Sequence, residues 1–299
     1  MSLPHITVCI CTYKRLRFLE RLLEGLGRQQ TKGEFTYSIL VADNDKLESA
    51  RPLVEQFSTR RQVPIKYCVE PEQNIALTRN RAVANAEGDY ISFIDDDEFP
   101  TDEWLHTLFR AIHQFKVDGS LGPVMPHYEE APPSWVIRGK FHERPSYPTG
   151  FIIDWKKGRT GNCLLKKELF DAEKQAFNPE FLTGEDQDFF RRMIQKGNSF
   201  VWCEEAVAYE TVPAIRWNRK FMLKRALLRG KISLKHASSG GKDVLKSIIA
   251  MPAYALALPV LLVVGQHAFM KYLVKAFDHA GRLMAFVGLD PVKEKYVTE

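Results

Sequence analysis

The sequence predicts an α/β protein on a doubly wound sheet, and three observations carry that reading. Strand-like and helix-like stretches alternate four times in about the first 100 residues, the order that gives parallel strands with crossover helices. The strand-like runs are short and mostly apolar, long enough for buried strands and too short for helices. One of them, Tyr90–Ile94, ends abruptly in four consecutive acids, Asp95, Asp96, Asp97 and Glu98. Strand ends of this kind are where open α/β sheets bind ligands.

Ile6–Cys11 reads as the first strand, followed by an amphipathic helix through Phe18, Leu19, Leu22, Leu23 and Leu26. Tyr37–Ala42 is the second strand and runs into Asp43-Asn44-Asp45. A helix through Ala50, Leu53, Val54 and Phe57 leads to a third strand, Ile65–Val69. Asn74–Ala86 is helical and precedes Tyr90–Ile94. Pro100 is expected to stop further strand pairing, having no N–H to donate. Glu103–Val117 is an amphipathic helix and Ser120–Pro126 a strand entering a turn. Residues 127–150, with Pro132, Pro133, Pro145, Pro148 and four aromatics, read as a long loop over the site. Arg159–Leu165 is a strand whose Gly161 lets a ligand approach the backbone. In Phe181–Arg192, Thr183 is expected to cap a helix that turns Phe189, Phe190, Met193 and Ile194 inward. Val201–Tyr209 is the last strand, and Val212-Pro213 closes the lobe. No glycine-rich dinucleotide fingerprint or P-loop occurs.

Four adjacent carboxylates repel one another unless a cation neutralises them. Oxygen ligands with open positions suit Mg²⁺ or Mn²⁺, ions commonly shared with substrate phosphates. A solvated acidic turn ahead of the helix begun by Asp102-Glu103 is the alternative. Tyr13, after the first strand, can stack on a base, and Asp43, after the second, can accept a hydrogen bond from a base imino group. Arg79, on the helix entering the acidic strand, can reach a phosphate. Each alone is equally a structural or solvated residue; together they fall where one crevice would form.

A chain of 299 residues holds one large α/β domain or two smaller lobes. With 45% hydrophobic and 26% charged residues, disorder is not the default. The five cysteines are scattered with no C-x-x-C pair, which argues against a zinc site or disulfide framework and fits a reducing cytosol. The N-terminus has neither the basic nor the apolar region of a secretory signal. From Pro213 onward 15 Lys/Arg stand against 5 Asp/Glu, whereas the first 212 residues carry 27 against 32. An acidic body with a basic tail calls for nucleic acid or anionic lipid at the tail.

Cys11-Thr12-Tyr13-Lys14-Arg15, Val41-Ala42-Asp43-Asn44-Asp45, Asn74-Ile75-Ala76-Leu77-Thr78-Arg79-Asn80 and Phe93-Ile94-Asp95-Asp96-Asp97-Glu98 occur in that order. They resemble the motif series of the family 2 (GT-A fold) glycosyltransferases, above all bacterial exopolysaccharide enzymes of the succinoglycan glucosyltransferase type. The resemblance covers about residues 5–212. It implies a GT-A-like doubly wound mixed sheet in a domain spanning 1–212, with a Rossmann-like nucleotide half over 1–125 and an acceptor and catalytic-base half over 126–212. The acidic run would be the DxD motif, with Asp95 and Asp97 as its acids and Asp97 foremost as ligand of Mg²⁺ or Mn²⁺ on a nucleotide diphosphate. Tyr13 and Asp43 would hold uracil and Arg79 a phosphate or the sugar, with Thr12, Arg15, Asp95, Asp96 and Asn162 completing the nucleotide-sugar site. The family's general base lies in the pair matched by Glu185 and Asp186, which assigns Asp186 as base and Glu185 as its neighbour. Helix capping is the other use for these two acids. An acceptor hydroxyl needs a carboxylate within hydrogen-bond reach, and direct displacement with one base predicts inversion at the anomeric carbon.

Ala214-Ile215-Arg216-Trp217 does not match the Q-x-x-R-W motif of processive relatives, which favours addition of a single sugar. Arg225 and Arg229 share a helix face and either approach a diphosphate or form a solvated basic face. Residues 213–299 read as a basic, apolar, helical membrane-associating region. Ile248–Gly265 is almost wholly apolar and passes the threshold of about 18 residues for a span. Pro252 and Pro259 are expected to break it. Lys242, Lys246, Lys271, Lys275 and Arg282 flank both ends, so a single span from a cytosolic site would export positive charge. Interfacial helices or a shallow re-entrant hairpin on the cytoplasmic face of the cell membrane satisfy both facts, and a core helix pair is the alternative.

The expected protein is therefore an inverting, metal-dependent glycosyltransferase, peripheral or monotopic. It would add one sugar, glucose as first choice, from a UDP-sugar to a polyprenyl-diphosphate-linked oligosaccharide or other glycan acceptor in exopolysaccharide assembly. Its partners are that donor, that acceptor and an anionic membrane surface. Nucleic acid is excluded because it leaves the apolar run unused. A nucleotidyltransferase would need a glycine-rich triphosphate loop where Thr12–Arg17 has no glycine, and a non-catalytic membrane adaptor has no use for the acid pairs.

Overall fold

A computed structural model describes residues 3–60, 63–171, 175–181, 183–234, 241–290 and 292. The first half runs β1 (His5–Thr12), α1 (Leu16–Leu26), β2 (Thr36–Asp43), α2 (Arg51–Arg60), β3 (Ile65–Val69), α3 (Ile75–Asn85), β4 (Tyr90–Ile94), β5 (Glu98–Pro100), α4 (Trp104–Phe115), β6 (Gly119–Leu121) and β7 (Val124–His127). After it come α5 (Ser134–Gly139), β8 (Asn162–Lys166), α6 (Glu168–Asp171), α7 (Glu185–Gln195), β9 (Phe200–Trp202), β10 (Ala208–Thr211), α8 (Arg219–Ser233), α9 (Gly241–Val264) and α10 (Gln266–Phe286). They divide into two units, Met1–His127 with Arg144–Thr211, and Tyr128–Glu143 with Val212–Glu299.

In the first unit β1 is the hub. It pairs in parallel with β2 along its whole length and with β4 on its other edge, in a seven-stranded sheet ordered β3-β2-β1-β4-β8-β6-β9. β8 runs antiparallel to both β4 and β6, which makes the sheet mixed. The chain builds outward from β1 to β3 and then returns to the opposite edge with β4. The strand order therefore reverses between β1 and β4, and a crevice opens at their carboxyl ends. Successive residues of β1 serve opposite faces. Val8 and Ile10 pack with Leu19, Leu22 and Leu23 of α1 and Trp104 of α4, whereas Cys9 packs with Ala76 of α3 and Phe189 of α7. Helices cover both faces, the condition under which such apolar strands are stable.

Two local expectations are corrected. Pro100 does not end pairing: it closes β5, opposite Ala208, on the edge of a second sheet ordered β5-β10-β7, where a missing N–H is tolerated. The expected strand Val201–Tyr209 is two strands, β9 in the large sheet and β10 in the small one, separated by the turn at Glu204–Ala206. The expected loop 127–150 also divides. Residues 128–143, including α5, group with the C-terminal helices, and 144–150 stay with the sheet.

The second unit is helical. α8 and α10 pack closely enough that a Cβ at Gly230 would meet the Asp278 carbonyl oxygen at 2.0 Å and one at Gly281 the Leu227 carbonyl oxygen at 2.2 Å. α9 contradicts the expected break: its 24 residues continue through Pro252 and Pro259 and stop at Gly265, whose φ of 137° belongs to glycine. Each proline removes one backbone donor, while packing along α10, including Tyr254 against Tyr272 and His279, holds the turns together. The most apolar 18-residue stretch within Lys242–Val264 has a mean hydropathy of 2.3 with only 6% of it buried, so α9 is not a core helix. Lys235, in the basic stretch before it, lies outside the described residues.

Candidate active site

β4 delivers the four acids to the crevice, and β1 holds them there. Thr12, the last residue of β1, donates from Oγ1 to Asp96 Oδ2 at 2.9 Å. Arg15 Nη1 donates to Asp96 Oδ1 at 3.0 Å and lies 3.4 Å from Asp97 Oδ2. Burial pushes the Asp96 carboxyl up to about 6, although Arg15 and the Thr12 hydroxyl favour its charged form. Asp97 is buried as well, which leaves Asp95 the most open of the four. Glu98 is 1% exposed, and neither of its carboxylate oxygens has a hydrogen-bond partner. Burial, with the Asp95 charge beside it, raises its pKa well above the usual carboxylate range. Arg144 Nη1, 3.9 Å away, offsets this in part and is itself bound through Nη2 to Glu210 at 2.6 Å.

Gly161 makes this crowding feasible. A Cβ there would lie 2.9 Å from Asp95 Oδ2 and 3.1 Å from Glu98 Oε1. The absent side chain thus makes room for the protein's own carboxylates, where the sequence suggested room for a ligand.

A second acidic centre is joined to the first through Arg79. The Asn74 side chain caps α3 by accepting from the Ala76 and Leu77 amides, and Arg79 projects from the helix it starts. Arg79 is 7% exposed, hydrogen-bonded to Glu185 Oε1 and 3.6 Å from Asp95 Oδ1. Burial opposes its charge, but Glu185 and Asp95 more than compensate and hold the guanidinium firmly protonated. Glu185 and Asp186 open α7, whose N-cap is Gly184 with φ 85°; Thr183 makes no capping bond, contrary to expectation. Leu182, just before, lies outside the described residues. Asp186 is half-buried, and its Oδ1 accepts from the Gln187 amide at 2.7 Å. Burial and the neighbouring Glu185 raise its pKa, against Arg79 and Arg159. Asp188 is clamped by Arg191 at 2.7 Å and Arg192 at 2.9 Å on its own helix.

Other candidates have structural work. Asp43 is fully buried and accepts from the Asp45 and Ala50 amides and the Tyr67 hydroxyl, so its oxygens also fold the β2 loop. Asn162 accepts from Trp104 Nε1 and donates to the Pro123 and Ala206 carbonyls, which ties β8 to its neighbours. Tyr13 is half-buried beside Lys14 at the mouth of β1. Arg225 and Arg229 belong to the second unit, where Arg229 makes a two-pronged pair with Asp278 and Arg225 lies over Phe221. Among the described residues, no three His, Cys, Asp or Glu side chains form a self-sufficient metal cage.

The family profile described as Glycosyl transferase family 2 matches residues 7–170, more than half of the chain and the whole of the β1–β4 crevice. The chain belongs to glycosyl transferase family 2. It is 29% identical to the succinoglycan biosynthesis protein ExoM of Rhizobium meliloti, over 97% of this chain and 95% of that one. It is 26% identical to the amylovoran biosynthesis glycosyltransferase AmsB of Erwinia amylovora, over 68% of each. Against chondroitin synthase of Pasteurella multocida the identity is 23%, and the match spans only 25% of that longer chain. The fold resembles S. aureus TarS 1–349 in complex with UDP-GlcNAc, with a TM-score of 0.54, 16% identity, and coverage of 97% of this chain and 93% of that one. The mixed, doubly wound sheet is thus GT-A-like, and this family 2 chain is a glycosyltransferase related to exopolysaccharide enzymes.

Arg144 and Glu210, which border the acidic run, escaped sequence reasoning. The first stands in a proline-rich stretch and the second in a strand expected to have ended at Tyr209. No local pattern marks either.

Proposed function

We propose that this enzyme transfers one sugar, glucose as first choice, from a UDP-sugar to a lipid-linked oligosaccharide during exopolysaccharide assembly, with inversion at the anomeric carbon. The observation that carries the reading is the pair of acidic centres joined by Arg79, one at the carboxyl end of β4 and one at the start of α7. The first is suited to the donor diphosphate and the second to the acceptor hydroxyl. The relatives in exopolysaccharide synthesis and the UDP-GlcNAc complex of the TarS neighbour support the substrate classes.

The residues present fit a divalent cation. Asp95 and Asp97 offer the oxygen donors that Mg²⁺ and Mn²⁺ prefer, and the two Glu98 oxygens beside them have no hydrogen-bond partner. Such an ion, when bound, neutralises charge on the diphosphate. Thr12 and Arg15 hold Asp96 and fix the acidic turn, and Tyr13 stands at its mouth to stack on the base. Arg79 fixes Glu185, so that Asp186 beside it can take the proton from the attacking acceptor hydroxyl. A raised pKa makes Asp186 a stronger base than an ordinary surface aspartate.

Membrane attachment is the role we assign to α9, whose exposed apolar span and flanking lysines suit an interfacial position on the cytoplasmic face. A panel of UDP-sugars incubated with Mg²⁺ or Mn²⁺ and extracted lipid-linked intermediates tests the reading. UDP release with UDP-glucose is expected. Release of UDP from another UDP-sugar and not from UDP-glucose overturns the choice of glucose, no release from any of them overturns the UDP-sugar donor, and transfer with retained anomeric configuration overturns the single-base displacement.

A further inference from the structure

Within the first unit, a cavity of about 190 Å³ lies beside Gly161, and its wall is cationic and aromatic. Arg144, Lys156, Lys157 and Arg159 supply the charge, and Tyr147 and Trp202 the rings. Two observations separate it from a solvated basic face. Arg159 makes no ion pair or hydrogen bond among the described residues, although it carries charge next to Arg144. Tyr147 and Trp202 meet edge to face at 5.3 Å, so the aromatic side is a firm platform rather than a pair of loose side chains.

Glu210 and Glu98 already pair with Arg144, which leaves Arg159 as the guanidinium in this wall that lacks an ion-pair partner among the described residues. A negatively charged ligand with acceptor oxygens supplies that partner. The rings add the flat apolar surface on which a sugar face packs. Asp186 favours the charged form of Arg159 and Arg159 that of Asp186, so the Arg159 of this cavity is electrostatically linked to the assigned base.

We propose that this cavity is an acceptor subsite for an acidic sugar, with Arg159 binding a carboxylate or phosphate oxygen and Tyr147 and Trp202 packing against the ring. The proposal rests on the acceptor-side reading of Asp186 given above. It adds that the enzyme selects acceptors carrying a negative charge on the sugar at, or next to, the site of attack. The remaining source of an anion for this site is the donor diphosphate, and the test separates the two.

Calorimetric titrations of the full chain, without turnover, use four probes: a glucuronate-terminated disaccharide, its neutral glucose-terminated counterpart, inorganic phosphate, and UDP with Mn²⁺. The acidic disaccharide is expected to bind at least about tenfold more tightly than the neutral one, as a charged hydrogen-bonded pair implies. Inorganic phosphate is expected to compete with it. Arg159→Gln is expected to erase the preference while UDP affinity stays within about twofold. Equal affinity for the two disaccharides overturns the proposal. So does a loss of UDP affinity in Arg159→Gln, which would hand the cavity to the donor diphosphate. Because no probe is turned over, a failure of the glycosyl-transfer reading would show in the UDP-release assay and not here.

Discussion

Arg79 Nη1 is hydrogen-bonded to Glu185 Oε1, joining α3 to the first turn of α7 across a separation of 106 residues. Both side chains are more than nine-tenths buried, and Arg79 also reaches toward Asp95. The pair therefore fixes the spacing of the two acidic centres as well as filling the core between them.

Removing one partner strands the other. Arg79→Met is expected to destabilise the chain by about 3–5 kcal/mol, the usual cost of breaking a buried ion pair. The double variant Arg79→Met/Glu185→Leu should recover part of that loss, because no charge is then left alone. Urea denaturation of the two variants measures it. With Glu185→Leu measured as well, a double-variant loss equal to the sum of the two single losses would mean that the residues are not coupled.

Asp186→Asn is expected to leave UDP affinity close to normal and to lower turnover by about 10²–10⁴-fold. A base must be deprotonated, so kcat/KM should fall as pH drops through the Asp186 pKa, which lies above that of an ordinary aspartate. Glu185 contributes to raising it, so Glu185→Gln should move the acid limb of the pH profile to lower pH. An acid limb that stays in place would assign the titration to another group.

Gly161→Ala places a methyl group 2.9 Å from Asp95 Oδ2 and 3.1 Å from Glu98 Oε1. One or both carboxylates must move. Mn²⁺-dependent UDP affinity should drop severalfold or more, with only a modest change in Tm, since Asp95 is partly open. Calorimetry of UDP with and without the ion reads this directly. Asp97→Asn, in the same assay, should lose the ion dependence itself.

Val263 is 88% exposed and Leu256 80% exposed on α9, so neither supports the fold. Leu256→Glu/Val263→Glu should abolish flotation with anionic vesicles at low salt, since apolar surface is lost and like charge faces the headgroups. The variant should remain folded and active on a soluble acceptor. Wild-type protein that fails to float would remove the membrane assignment.

The alternation of strands and helices from β1 to β4 was legible because period-two and period-3.6 apolar patterns are local properties of the chain. The position of the acidic run was legible for the same reason, as it directly follows an apolar strand. The second acid pair needed the family resemblance, since Glu185 and Asp186 at a helix start read equally well as capping residues. What Asp43 and Asn162 do was beyond local reading. Their partners, Tyr67 for the one and Trp104, Pro123 and Ala206 for the other, are brought in by other elements of the fold. Pro100 in an edge strand and residues 128–143 among the C-terminal helices depend likewise on pairing across long separations. Hydrophobic periodicity says which face of an element is buried but not against what. The joining of Asp95 to Glu185 through one buried arginine was therefore decided only when the chain closed on itself.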